Sequence, residues 1–204
     1  MDLENLIQAV ADSLFVELEA SGRHIHVTKE QSMALFGHLL TPKRPLSQPG
    51  QFLAQERVTV IGPKGEFRDV AVLGPERSEG QVEISLTDAR TLGIDAPIRL
   101  SGDIQGTPGA ELAGARGRVR LLRGVIAAKR HIHLTPRAAE RFGVKNGETV
   151  KLKTLTERPV TFEDVSVRVS EKFAPYAHLD YDEANACGFK KGDLGRIIKC
   201  SGRC

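Results

Sequence analysis

Residues 23–28 read Arg-His-Ile-His-Val-Thr, and residues 130–135 read Arg-His-Ile-His-Leu-Thr. These two stretches decide the fold. The chain has 204 residues and six histidines, and the two copies hold four of them. Each copy alternates and carries β-branched residues, which suits a strand. Alternation puts His24 and His26 on one face, about 6.6 Å apart along the backbone, and does the same for His131 and His133. An identical Arg-His-Ile-His in both halves points to a duplicated unit that needs imidazoles in pairs.

The recurrence extends outward from the motif. A short helix ending at Phe36-Gly37 is expected after the first copy, and one ending at Phe142-Gly143 after the second. Further on, Glu83-Ile-Ser-Leu-Thr-Asp-Ala-Arg-Thr-Leu-Gly-Ile94 aligns without a gap with His178-Leu-Asp-Tyr-Asp-Glu-Ala-Asn-Ala-Cys-Gly-Phe189. In that register Ala89 meets Ala184, Gly93 meets Gly188, and Glu83 falls opposite His178. The unit is about 90 residues long. Many short strands and few helices predict a mainly β (α+β) chain of two tandem small β-barrels or half-barrels. A boundary at Leu112 to Gly117 divides a first barrel, residues 21–114, from a second, residues 115–204.

Residues 3–16 have the spacing of an amphipathic helix, with Leu3, Leu6, Ile7, Val10 and Leu14 on one face. Residues 1–20 therefore read as an N-terminal helical segment, either packed on the core or free to dock elsewhere. No run of about 18 apolar residues exists to span a membrane. The first 20 residues carry acids and no base, unlike a secretory signal. The net charge of +3 is scattered, with two Tyr and no Trp, which argues against nucleic acid but suits an anionic small molecule. An odd count of three cysteines points to reduced thiols. No role is assigned to Cys187, Cys200 or Cys204.

Each half thus offers an H-x-H pair and a third donor: His24, His26 and Glu83 in one, His131, His133 and His178 in the other. Three such ligands leave a fourth position open, the arrangement of a catalytic zinc. Manganese, iron, cobalt and nickel are also compatible with these donors. His38 has no counterpart and reads as structural. Arg77, Arg23 and Arg130 lie close to the ligands in sequence, and arginine suits phosphate. The residues by themselves lead to a hydrolase or transferase acting on an anionic substrate.

The two histidine motifs, with Ser47-Gln-Pro-Gly-Gln-Phe52, Gln81-Val-Glu-Ile-Ser85, Ser101-Gly-Asp103, Gly106-Thr-Pro-Gly109 and Asp182-Glu-Ala-Asn-Ala186, resemble the phosphate propanoyltransferases of propanediol utilisation. The resemblance covers nearly all of residues 21–198. It implies reversible transfer of an acyl group between coenzyme A and phosphate, without an acyl-enzyme. It also implies two β-barrel domains and a two-zinc site held by the six residues named above. Arg77 matches the family's phosphate-binding arginine. Coenzyme A contacts map to Ser21, Arg44, Leu73, His178 and Asn185. Departures from the family pattern are Gly22, Ala71, Leu86 and Tyr181. Many relatives carry an N-terminal amphipathic helix that targets them into bacterial microcompartments in the cytoplasm. The resemblance therefore implies shell proteins as partners of residues 1–20, together with a homo-oligomer. Two other readings stay open: a zinc-dependent hydrolase of a thioester or acyl phosphate, and a non-catalytic shell-interaction protein.

Overall fold

The computed structural model describes residues 2–4 and 14–200. The chain forms β1 (Val16–Ser21), β2 (His24–His26), α1 (Lys29–Phe36) and β3 (Pro42–Pro45). A long hairpin, β4 (Phe52–Ile61) and β5 (Glu66–Gly74), leads to β6 (Gln81–Ile84), α2 (Leu86–Leu92) and β7 (Ile98–Arg99). Next come β8 (Ala110–Ala113), β9 (Arg118–Leu121) and β10 (Val125–Ala128). The second motif is β11 (His131–Leu134), followed by α3 (Pro136–Phe142), β12 (Thr149–Leu155) and β13 (Thr161–Val169). Last are β14 (Tyr176–Asp180), α4 (Tyr181–Cys187) and β15 (Leu194–Lys199). The chain is mainly β, as expected.

Contacts separate residues 22–128 from a second unit built of residues 129 onward and the segment up to Ser21. The second unit is a closed barrel of order β1-β14-β11-β13-β12-β15. The first is an open, curled sheet of order β7-β10-β6-β2-β5-β4-β8-β9, with β3 on β4. Five strands correspond one to one: β10-β6-β2-β5-β4 in the sheet and β1-β14-β11-β13-β12 in the barrel. The parallel or antiparallel sense of every pair agrees.

This correspondence changes the expected division. The strand before each histidine motif belongs to the other half's sheet: β1 pairs with β14, and β10 pairs with β6. The predicted boundary at Leu112–Gly117 is instead the turn of the β8–β9 hairpin, closed by Gly114 N–H donating to Gly117 O at 2.9 Å. Glycine there imitates a linker in the sequence. The units divide at Ala128/Lys129.

The N-terminal segment is likewise shorter than its helical spacing suggests. Val16 and Leu18 are buried on the inner face of β1 and join the barrel core. Gly195 on β15 allows this closure. A Cβ there would lie 2.7 Å from Leu152 and 2.8 Å from Leu18, whose side chains fill that space. Of the predicted helix, residues 5–13 lie outside the described residues, while Leu3, Glu4 and Leu14 are helical. Cys187 is a buried free thiol.

The repeat reaches into backbone detail. Between Val58↔Val70 and Val60↔Phe67 the hairpin carries two residues opposite one, and Asp69 takes φ 57°. Between Val150↔Val165 and Leu152↔Phe162 the same bulge recurs, with Asp164 at φ 53°. Aspartate tolerates this left-handed backbone better than most residues, and bulges of this kind bend a strand and increase its twist. Both sheets are curled at the same place.

Four helices start on side-chain caps: Thr28, Ser85, Thr135 and Asp180, each accepting from the backbone N–H three residues on. Such caps stabilise a helix by about 1 kcal/mol each. Every cap stands two residues beyond the last donor of its strand, His26, Glu83, His133 or His178. The cap therefore ends the strand and fixes where the donors project.

Candidate active site

The third donor of each half stands opposite the first histidine. Across β2 and β6, His24 pairs with Glu83; across β11 and β14, His131 pairs with His178. Residues directly opposite in a sheet share a face, so the gap-free alignment of Glu83 with His178 corresponds to the same place in space. The apolar partners on the other face, Ile25 and Ile132, are fully buried and hold each strand in register.

Two groups result, His24/His26/Glu83 and His131/His133/His178, each with ligand-type atoms within 4.8 Å of one another. In the first, Nε2 of both histidines lies 3.6 Å from Glu83 Oε1. His24 Nδ1 meets Gly22 O at 2.8 Å and His26 Nδ1 meets Leu73 O at 3.2 Å. A ring that donates Nδ1–H to a carbonyl turns an unprotonated Nε2 toward the cluster, as a metal ligand requires. His131 Nδ1 repeats the contact of His24, meeting Lys129 O at 2.8 Å. In the second group His178 Nε2 lies 3.2 Å from His133 Nδ1, and His178 Nδ1 lies 3.3 Å from Glu19 Oε2.

The electrostatics favour a cation in the first group. Burial opposes a charge on His24, but the Glu83 carboxylate raises its pKa overall. Burial pushes His26 down to about 4, which keeps it neutral. Burial also opposes ionisation of Glu83, yet His24 and His26 hold its carboxyl well below the usual range. The cluster thus gathers two imidazoles around an ionised carboxylate, a donor set suited to a divalent metal.

A polar network supports Glu83. Ser101 donates to Glu83 Oε1 at 2.6 Å, Gln81 Nε2 donates to the same oxygen, and Gln81 Nε2 reaches Ser101 Oγ at 3.0 Å. Arg77 Nη1 donates to Ser101 Oγ at 3.0 Å, and its backbone N–H bonds Val27 O. Arg77 also lines a cleft of about 250 Å³ with Pro49, Gly50, Gln51, Gly74 and Pro75. One serine therefore joins the arginine to the carboxylate. Sequence reasoning marked Gln81 and Ser101 only as part of motifs; their role follows from the fold.

Arg23 and Arg130, whose place in the sequence also suits phosphate, are engaged in ion pairs. Arg23 forms a two-point ion pair with Asp88, at 3.1 and 2.7 Å, and lies over Phe67. Arg130 donates to Glu183 at 2.6 Å and to Glu163 O at 2.7 Å, and lies near Phe162. Asp88 and Glu183 occupy the third position of α2 and α4. Each arginine ties the first strand of the motif to the helix after the third donor. The duplicated arginine is structural.

Of the other predicted positions, Ser21 pairs with Asp180 on β14, and Asn185 is exposed on α4, both in the barrel unit. Leu73 adjoins the cleft through Gly74 and orients His26, while Arg44 is exposed on β3, both in the sheet unit. His38 joins neither donor group among the described residues.

A family model described as Phosphate propanoyltransferase matches residues 17–190. A phosphate propanoyltransferase of Clostridioides difficile is 52% identical over 199 residues, covering 97% of this chain and 95% of the relative. One from Enterococcus faecalis is 55% identical over 185 residues, covering 90% and 88%. One from Listeria monocytogenes is 55% identical over 186 residues, covering 90% and 87%. Matches that span both histidine motifs and both third donors leave one conclusion: the chain belongs to the phosphate propanoyltransferase family.

Proposed function

We propose that the protein is a phosphotransacylase that interconverts acyl-CoA, propanoyl-CoA or acetyl-CoA, plus phosphate with acyl phosphate plus CoA. Two zinc ions serve it, one held by His24, His26 and Glu83 and the other by His131, His133 and His178. The observation that carries this reading is the pair of three-donor clusters at corresponding strand positions in a member of this family. Bound zinc would supply Lewis acidity, polarising the thioester carbonyl and easing loss of the thiol proton.

The remaining chemistry belongs to the chain's own groups. A phosphate oxygen attacks the thioester carbonyl carbon; the C–O bond forms as the C–S bond breaks, and the phosphate proton ends on the departing CoA sulfur. Arg77, which lines the cleft, binds the phosphate, its guanidinium donating to Ser101. Holding nucleophile and carbonyl together lowers the entropic part of the barrier. Ser21, Arg44, Leu73, His178 and Asn185 contact CoA.

The test is release of CoA from propanoyl-CoA with and without phosphate. Transfer predicts release that needs phosphate and yields acyl phosphate. Release that ignores phosphate would assign the site to a hydrolase, with water as nucleophile. A folded, metal-loaded protein with neither activity would favour the shell-interaction reading.

The N-terminal segment docks on microcompartment shell proteins, and the chain assembles as a homo-oligomer in the bacterial cytoplasm. The amphipathic spacing of residues 3–14 and the exposure of Leu3 and Leu14 support a docking role. Because Val16 and Leu18 belong to the barrel core, a truncation should end at Leu14. That variant is expected to keep activity and lose co-purification with shell proteins; retained encapsulation would contradict the assignment.

A further inference from the structure

We infer that Glu19 is a positioning residue for the trihistidine site, supplying from β1 the negative charge that Glu83 brings to the other site as a ligand. The inference rests on the two-metal reading above. Glu19 stands directly beside His178 in the parallel β1–β14 pair, and its Oε2 lies 3.3 Å from His178 Nδ1. The contact is sheltered: the side chains of His178 and Glu19 are 11% and 34% exposed. A carboxylate at Nδ1 fixes the tautomer, turns Nε2 toward the cluster and makes the imidazole a stronger donor.

The duplicated fold provides an internal control. β10 holds the place in the sheet that β1 holds in the barrel, and Ile126 pairs with Glu83 as Glu19 pairs with His178. Glu19 and Ile126 each stand five positions before the first histidine of their motif. Where the third donor is an anion, its neighbour is a fully buried isoleucine. Where the third donor is neutral, its neighbour is an anion. Each cluster therefore has one carboxylate at the third-donor position or beside it, and the two halves exchange which strand carries it. A trihistidine set without such a charge would hold a divalent cation with neutral donors alone, at a greater electrostatic cost in a buried site.

Among the described residues, Tyr176 and Glu17 also stand near Glu19 and do not replace it. Tyr176, two residues before His178 on the same strand, is a phenol and supplies no carboxylate. Glu17 pairs with Tyr176 in the same register, two residues from the position beside His178.

The experiment is chelator competition with zinc, and the absorption spectrum after cobalt substitution, on full-length wild type and Glu19→Gln. The isosteric variant is expected to loosen one of two metal equivalents by about 10–100-fold, leave the other unchanged, and alter the cobalt spectrum of the weakened site. Glu19→Leu should weaken the same site, and Glu19→Leu/His178→Glu, which recreates the Glu83/Ile126 arrangement, should recover most of the loss. Equal affinity in wild type and Glu19→Gln, equal weakening of both equivalents, or no recovery in the double variant would overturn the inference. A wild type that holds no metal at the trihistidine cluster would reject the two-metal reading instead.

Discussion

Replacing His131 with alanine is expected to lower phosphate-dependent acyl transfer by at least about 10³-fold in a protein that remains folded. Lewis-acid stabilisation of a developing oxyanion contributes several kcal/mol, and each 1.36 kcal/mol is about tenfold in rate. The fold should survive because the core depends on the other face of β11. Ile132 and Leu134 are fully buried, and the strand is laddered on one side to β13 and on the other to β14. His131 projects into the cluster and contributes no apolar burial to that core. Circular dichroism and thermal unfolding should therefore stay close to wild type while activity and one metal equivalent are lost. If the variant unfolds, the metal is structural and the shell-interaction reading gains.

The second large effect is expected at Arg77. Arg77→Ala should raise KM for phosphate by about 100-fold, with a smaller change in KM for acyl-CoA. Hydrogen bonds to charged groups are each worth about 1.5–3 kcal/mol, and arginine can present two in parallel to a phosphate. Arg77→Lys should recover only part of the loss, because lysine provides a point charge without the planar fork. Steady-state kinetics with each substrate varied in turn separates the two constants. An equal rise in both would mean that Arg77 acts through Ser101 and Glu83 on the metal site rather than on phosphate.

What the sequence disclosed was the local pattern. The alternation of His24-Ile25-His26 and the gap-free match of Glu83 with His178 locate both donor clusters, because antiparallel pairing places such residues opposite one another. The helices that close on Gly37 and Gly143 were also legible, since each follows a histidine motif and stops at a glycine. The strand exchange was not. A strand's partner depends on contacts distant in sequence, and β1 and β10 read alike whichever sheet receives them. Glu19 stayed hidden for the same reason, as its meaning comes from β14 and not from its neighbours in the chain. The ion pairs of Arg23 and Arg130 were not legible either, because their partners Asp88 and Glu183 lie far off in sequence, each three residues into a helix. The apolar spacing of residues 3–16 carried the expected helix two residues past Leu14, into a strand whose Val16 and Leu18 share a spacing of two.

On the proposed reading, each half of the duplicated chain builds one metal site on the same strand plan. Metal content of the purified full-length protein, measured for wild type, His24→Ala and His131→Ala, tests it most directly. Two zinc ions per wild-type chain and one in each variant are predicted, with activity lost in both. A single ion per wild-type chain, or two that survive either substitution, would contradict it.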